Sequence, residues 1–201
     1  MAAKQKTRYA ILGLLSWKPM SGYDIKKVVD VGLSHFWNEN FGQIYPTLES
    51  LVSDELATKQ EQGSQGKRKR FVYSITGKGR RAFKTWLKEP TAMPVVRNEL
   101  QLKFFLSCNL PPAETIRLIR AYQTDQKALL DEYQRSATVL RAAMNAEAYP
   151  EELDEILQIT SSKPSQRAAQ CKVFYLTLRQ GILSIQARLS WCDEVAKSLK
   201  E

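Results

Sequence analysis

A chain of 201 residues can hold one large domain or two small ones, each with its own core. No run approaches the roughly 18 apolar residues that span a bilayer, and one histidine (His35) with three scattered cysteines offers little to a metal, so membrane-spanning and metal-dependent functions are not expected. Charge is uneven: residues 1–90 hold 16 Lys and Arg against 8 Asp and Glu, and residues 91–201 hold 14 against 13.

A basic first half suits a polyanion, and a near-neutral second half has another task, although +8 can also simply solubilise a small domain. Cys108, Cys171 and Cys192 are odd in number and lack any CxxC pair, which favours free thiols in a reducing compartment. The start, "MAAKQKTRYAILGLLSWKP", has lysines before a short apolar run but no small-residue cleavage site. It reads as a folded helix of a cytoplasmic protein.

The first predicted helix runs from Gln5 to Trp17, largely buried through Ile11, Leu12, Leu14 and Leu15, and ends before Pro19. In "SGYDIKKVVDVGL", Ser21 is the N-cap and Asp24 the third helical residue, close to a capping box, with Ile25, Val28 and Val29 inside. In "GQIYPTLESL", Ile44, Leu48 and Leu51 recur at helical spacing. Pro46 is tolerated only in a first turn, so this third helix should begin at Gly42 or Gln43. The period then changes. "LATKQEQ" and "KRFVYSI" flank a glycine-bounded basic turn, and Phe71, Tyr73 and Ile75 alternate, which predicts a hairpin. "TGKGRRAFKTWL" returns to helical spacing, and "KEPTAMPVV" reads as a linker.

The second half is helical. "NELQLKFFLS" is a short helix stopped by Pro111 and Pro112. From Ala113 to Ala148 a heptad-like seam runs through Ile119, Tyr122, Tyr133 and Ala137, with a polar interruption at Gln126. A short amphipathic segment covers 150–159, and a last helix spans Gln166 to Leu199. That helix has two apolar stripes, one through Val173, Leu176, Leu183, Ala187 and Trp191, the other through Phe174, Leu178, Ile182, Ile185, Leu189 and Cys192. Two stripes need two partners. A second chain is the economical second partner, and an intramolecular bundle is the alternative.

The expected fold is therefore mainly α. Residues 1–90 form a winged helix-turn-helix of three helices, a β-hairpin wing and a fourth helix. Residues 91–201 form an all-helical dimerisation and effector domain. On the third helix, Gln43 can read adenine, Ser50 is less selective, and Tyr45 and Thr47 can reach phosphates. Glu49 is an awkward acid on that face. At the hairpin tip, Lys67, Arg68, Lys69 and Arg70 can follow the nucleic-acid backbone. Lys4, Lys6 and Arg8, with Lys78, Arg80 and Arg81, add positive charge nearby. A solvated helix face and a charged tip guarding an edge strand would carry similar residues.

"ILGLLSWKPMSGYDIKK", "FGQIYPTLESLVSDEL" and "RFVYSITGKGRRAFKTWL" closely resemble the PadR-like transcriptional regulators, whose winged helix carries these passages in the same order. The resemblance covers Ile11 to Leu87, and the helical second half looks like the subfamily with an extended dimerisation domain. It implies a homodimeric repressor on an inverted-repeat operator of double-stranded DNA. Some relatives respond to phenolic acids or other small aromatics lodged between the two domains. Phe104, Phe105 and Tyr122 would line such a site, with core packing as the competing role. One departure concerns the start of the wing. The family usually has a glycine near "DEL", where this chain has Asp54 and Glu55.

A winged helix serving as a protein-interaction module is the alternative reading. An enzyme is not expected. The chain has one histidine, no glycine-rich phosphate loop followed by a lysine, and no carboxylate pair at telling spacing, so no cofactor or metal is named.

Overall fold

The computed structural model describes residues 3–33, 36–37, 41–62, 70–91, 93, 97–145, 149–160 and 163–200. The chain forms two compact units, Met1–Pro90 with Ala143–Cys171, and Thr91–Ala142 with Lys172–Glu201. The sequence reading divides the chain once, after residue 90. Contacts instead bring the segment 143–171 to the first unit.

In the first unit, α1 (Ala3–Trp17) buries Ile11, Leu12, Leu14 and Leu15. A two-residue strand β1 (Met20–Ser21) leads into α2 (Gly22–Gly32). Ser21 and Asp24 complete a capping box, each side chain accepting from the other's backbone N–H, so two unpaired donors are satisfied at once. A 3₁₀ turn (Phe41–Gln43) precedes α3 (Ile44–Ser53), which therefore starts slightly later than expected. Pro46 is its third residue, where the missing N–H has no intrahelical acceptor to lose.

Strands β2 (Ala57–Gln62) and β3 (Arg70–Ile75) pair antiparallel, with Ala57 opposite Ile75 and Gln62 opposite Arg70. β1 adds to the other edge of β3, Met20 opposite Tyr73, so the sheet order is β1-β3-β2. α4 (Gly77–Trp86) is capped by the Thr76 hydroxyl. A Cβ on Gly79 would lie 2.0 Å from the Leu56 carbonyl oxygen, so only glycine lets α4 approach the start of the wing this closely. Trp86 of α4 stacks on Tyr9 of α1 at 4.9 Å.

α7 (Glu151–Thr160) belongs to this unit. Its Ile159 packs on the winged-helix core, the Lys27 ammonium of α2 pairs with Glu155, and Lys18 donates to the Gln158 carbonyl at 3.0 Å.

The second unit holds α5 (Glu99–Phe105), α6 (Pro112–Ala143) up to Ala142, and the Lys172–Ser198 part of α8 (Pro164–Ser198). One core cluster joins Leu100, Ile119, Cys192 and Val195, and another joins Ala137, Leu178 and Ile182. The polar break in the α6 seam has partners on α8. Gln126 accepts from Arg188 at 3.2 Å, and Gln123 donates to Asp193 at 2.8 Å. Among the described residues no helix is long and apolar enough to cross a membrane.

Candidate nucleic-acid interface

α3 turns Ile44, Thr47, Leu48 and Leu51 into the core and leaves Gln43, Tyr45, Pro46 and Glu49 exposed. Thr47 is 3 % exposed, which corrects its assignment as a phosphate contact. It stands three residues after Ile44 and four before Leu51, so helical spacing already places it on the inner face. Gln43 is the N-cap but makes no side-chain cap bond, so its amide is not tied to the helix end. Tyr45 is 60 % exposed, and its ring lies across Gly22, where an added Cβ would come within 2.5 Å. Glycine at the start of α2 thus makes room for a tyrosine on α3.

Ser50 is half-buried and already engaged, accepting from the Arg8 guanidinium at 2.9 Å. Arg8 also pairs with Asp54 at 2.6 Å. This arginine, read from sequence as part of a basic cluster, braces both the exposed side and the end of α3.

Glu49 is neutralised. Its Oε1 accepts from Lys59 Nζ of β2 at 2.7 Å and from the Tyr73 hydroxyl of β3 at 3.1 Å. The Lys59 bond holds the Glu49 carboxyl below its usual range, outweighing slight desolvation. Lys59 also sits over the Phe71 ring at 4.3 Å, a cation–π contact that fixes the ammonium. Burial, and then the bond to Glu49, push the Tyr73 phenol upward. Sequence reasoning missed this trio, because a contact between a helix and two strands leaves no local spacing signal. Only the alternation that turns Phe71 and Tyr73 to one face of β3 hints at it.

Arg70, expected at the basic tip, opens β3 opposite Gln62, at the end of the ladder farthest from Ala57 and Ile75, and its guanidinium donates to the Asp24 carboxylate and to the Ser21 hydroxyl. It joins β3 to the start of α2. Lys67, Arg68 and Lys69 lie outside the described residues. Lys78 donates to the Asp54 carbonyl at 3.0 Å, and Arg80 to the Ser16 carbonyl at 3.2 Å, while Arg81 is exposed. Much of the positive charge near α3 therefore also ties elements together.

In the second unit, Phe104 packs edge-on against Trp191 at 5.3 Å, in the same cluster as Tyr122. Phe105 is 82 % exposed. The three aromatics expected to share an effector site are thus divided between core and surface. Among the described residues no group of three or more metal-ligating side chains gathers.

The first unit presents an exposed helix face beside a three-stranded wing, with hydrogen-bonding groups and cations but few apolar side chains. Such a face can enter a major groove while the wing follows the backbone.

Comparison with known proteins points the same way. The sequence profile of the Transcriptional regulator PadR-like family matches residues 11–85, and that of Virulence activator alpha C-term matches residues 96–200. The Negative transcriptional regulator PadR of Bacillus subtilis is 33 % identical over 138 residues, 68 % of this chain and 75 % of that protein. The crystal structure of Bacillus subtilis PadR in complex with operator DNA superposes with a TM-score of 0.77 at 25 % identity, covering 96 % of this chain and 99 % of the other. The structure of the same protein with p-coumaric acid gives 0.75 at 26 %, covering 100 % and 99 %.

Proposed function

Since the chain belongs to the PadR-like family of transcriptional regulators, we propose that it is a cytoplasmic, homodimeric repressor. It reads an inverted-repeat operator and is released by a small aromatic acid. The observation that carries the reading is the exposed Gln43–Glu49 face of α3, held beside the wing by the Glu49–Lys59 contact and braced on α1 by the Arg8–Ser50 contact. In this reading Gln43 meets base edges and Tyr45 a phosphate. The wing, with Lys67, Arg68 and Lys69, follows the flanking backbone.

Repression and the effector are supported by likeness to Bacillus subtilis PadR, a negative regulator with structures on operator DNA and with p-coumaric acid. The dimer is supported by the apolar stripe that α8 leaves exposed at Val173, Leu176 and Leu183.

The test is selection of bound duplexes from a randomised pool, with and without p-coumaric acid. The expected result is a palindromic consensus with half-sites about one helical turn apart, lost on adding the acid. Failure to enrich any sequence would overturn the DNA-reading proposal and leave a protein-interaction module. A consensus indifferent to the acid would overturn release by that acid alone.

A further inference from the structure

Glu49 is the one acidic residue of α3 and stands on its exposed face. An unpaired carboxylate there would repel phosphates. This one is countered by Lys59, and both of its described hydrogen bonds, from Lys59 Nζ and from the Tyr73 hydroxyl, fall on the same oxygen, Oε1. Two donors on one oxygen fix the side chain's rotamer, and the second oxygen is left as an oriented acceptor. The Lys59 ammonium is itself fixed over Phe71, and Tyr73 is buried in the core, so the support is rigid.

Resting on the proposal that α3 reads DNA, we infer that Glu49 is a specificity-determining residue that selects cytosine at one position in each half-site. A carboxylate can only accept hydrogen bonds. In the major groove, guanine N7 and O6 and thymine O4 are acceptors and would be repelled. Adenine offers its amino group beside the N7 acceptor, whereas cytosine offers N4–H₂ beside a carbon-bound hydrogen. Cytosine is the base edge that gives a lone carboxylate a donor without an adjoining acceptor on the same ring. The bond to Lys59 keeps the carboxyl ionised, so the acceptor-only character holds throughout the neutral range.

The experiment compares the full-length protein with Glu49→Gln, first by selection from randomised duplexes and then by competition between duplexes differing only at the selected position. Glutamine has the same shape but adds a donor, so it can also face guanine or thymine. The exposed site should tolerate it, as equal thermal midpoints would verify. The expected result is a cytosine preference of about fivefold in the parent, lost in Glu49→Gln while the rest of the consensus stands. An identical consensus in both proteins, even with a uniform change in affinity, would overturn the inference and leave Glu49 as a brace for the wing. If the parent enriches no sequence, the DNA-reading proposal itself fails, a result distinct from an unchanged consensus.

Discussion

The Leu56 N–H donates to the Leu51 carbonyl at 2.8 Å, and with the Glu55 N–H on Val52 it closes α3 in a left-handed cap. This geometry forces Glu55 to φ 61°, among the described residues the one non-glycine in that region. The family resemblance leads to the expectation of a glycine near this point, and the cap gives the physical reason. A side chain there meets its own backbone at a cost of roughly 1–2 kcal/mol. Glu55→Gly should therefore stabilise the first unit by about 1 kcal/mol, after allowing for the extra freedom of glycine in the unfolded chain. The exposed Lys78–Glu55 pair that would disappear contributes little. Thermal unfolding checks this, and an unchanged or lower midpoint would mean that Glu55 is not strained.

Asp24 links the start of α2 to Arg70, the first residue of β3. Burial pushes its carboxyl up, but the Ser21 backbone and hydroxyl and the Arg70 guanidinium together hold it below its ordinary value. A group with a depressed folded pKa contributes its stability above the unfolded value, near 3.9. That contribution is lost as pH falls through the lower folded value. Asp24→Ala should cost about 1 kcal/mol at neutral pH, the usual size of a lost cap. The gap between parent and variant should close as pH falls below about 4. Urea unfolding across this range is the measurement, and a gap independent of pH would show that the charge of Asp24 is not what matters.

Much of the first unit is legible in the sequence, since its signals are local. Ser21 with Asp24, Pro46 in "IYP" and the alternation of Phe71, Tyr73 and Ile75 each constrain their own few residues. Contacts distant in sequence are not legible. β1 is only two residues long and exists because Met20 and Ser21 pair with Tyr73 and Val72. Glu49 is an anomaly until Lys59 and Tyr73 are placed beside it. The segment 150–159 looks like any amphipathic helix, and nothing in its pattern says that Ile159 packs on the winged-helix core. Thr47 differs from these cases. Its inward position follows from helical spacing, but its polarity suggests the surface.

The wing tip tests the electrostatic part of the proposed function. Replacing Lys67, Arg68 and Lys69 with alanine removes cations that would meet phosphates rather than bases. Affinity should fall for every duplex sequence alike, and the slope of log affinity against log salt should flatten by about 1 for each phosphate no longer neutralised. Titrations at several salt concentrations give both quantities. An unchanged slope would mean that the tip does not touch DNA.

The exposed stripe of α8 tests assembly. Leu178, Ile182 and Ile185 are 5 %, 2 % and 2 % exposed, whereas Val173, Leu176 and Leu183 are 59 %, 55 % and 52 % exposed. The second set recurs at i, i+3 and i+10, the a and d spacing of a helical seam that meets another helix. A second copy would cover it. Leu176→Glu with Leu183→Glu should therefore convert a dimer to a monomer in light scattering while leaving each chain folded, because neither side chain is part of the chain's own core. Ile182→Glu, by contrast, should unfold the second unit. Joining two half-site contacts multiplies affinity by roughly 10²–10⁴, so the double variant should lose most of its affinity for a palindrome while its weak binding to a single half-site persists. A parent that is already monomeric, or a double variant that stays dimeric, would remove this stripe from the interface.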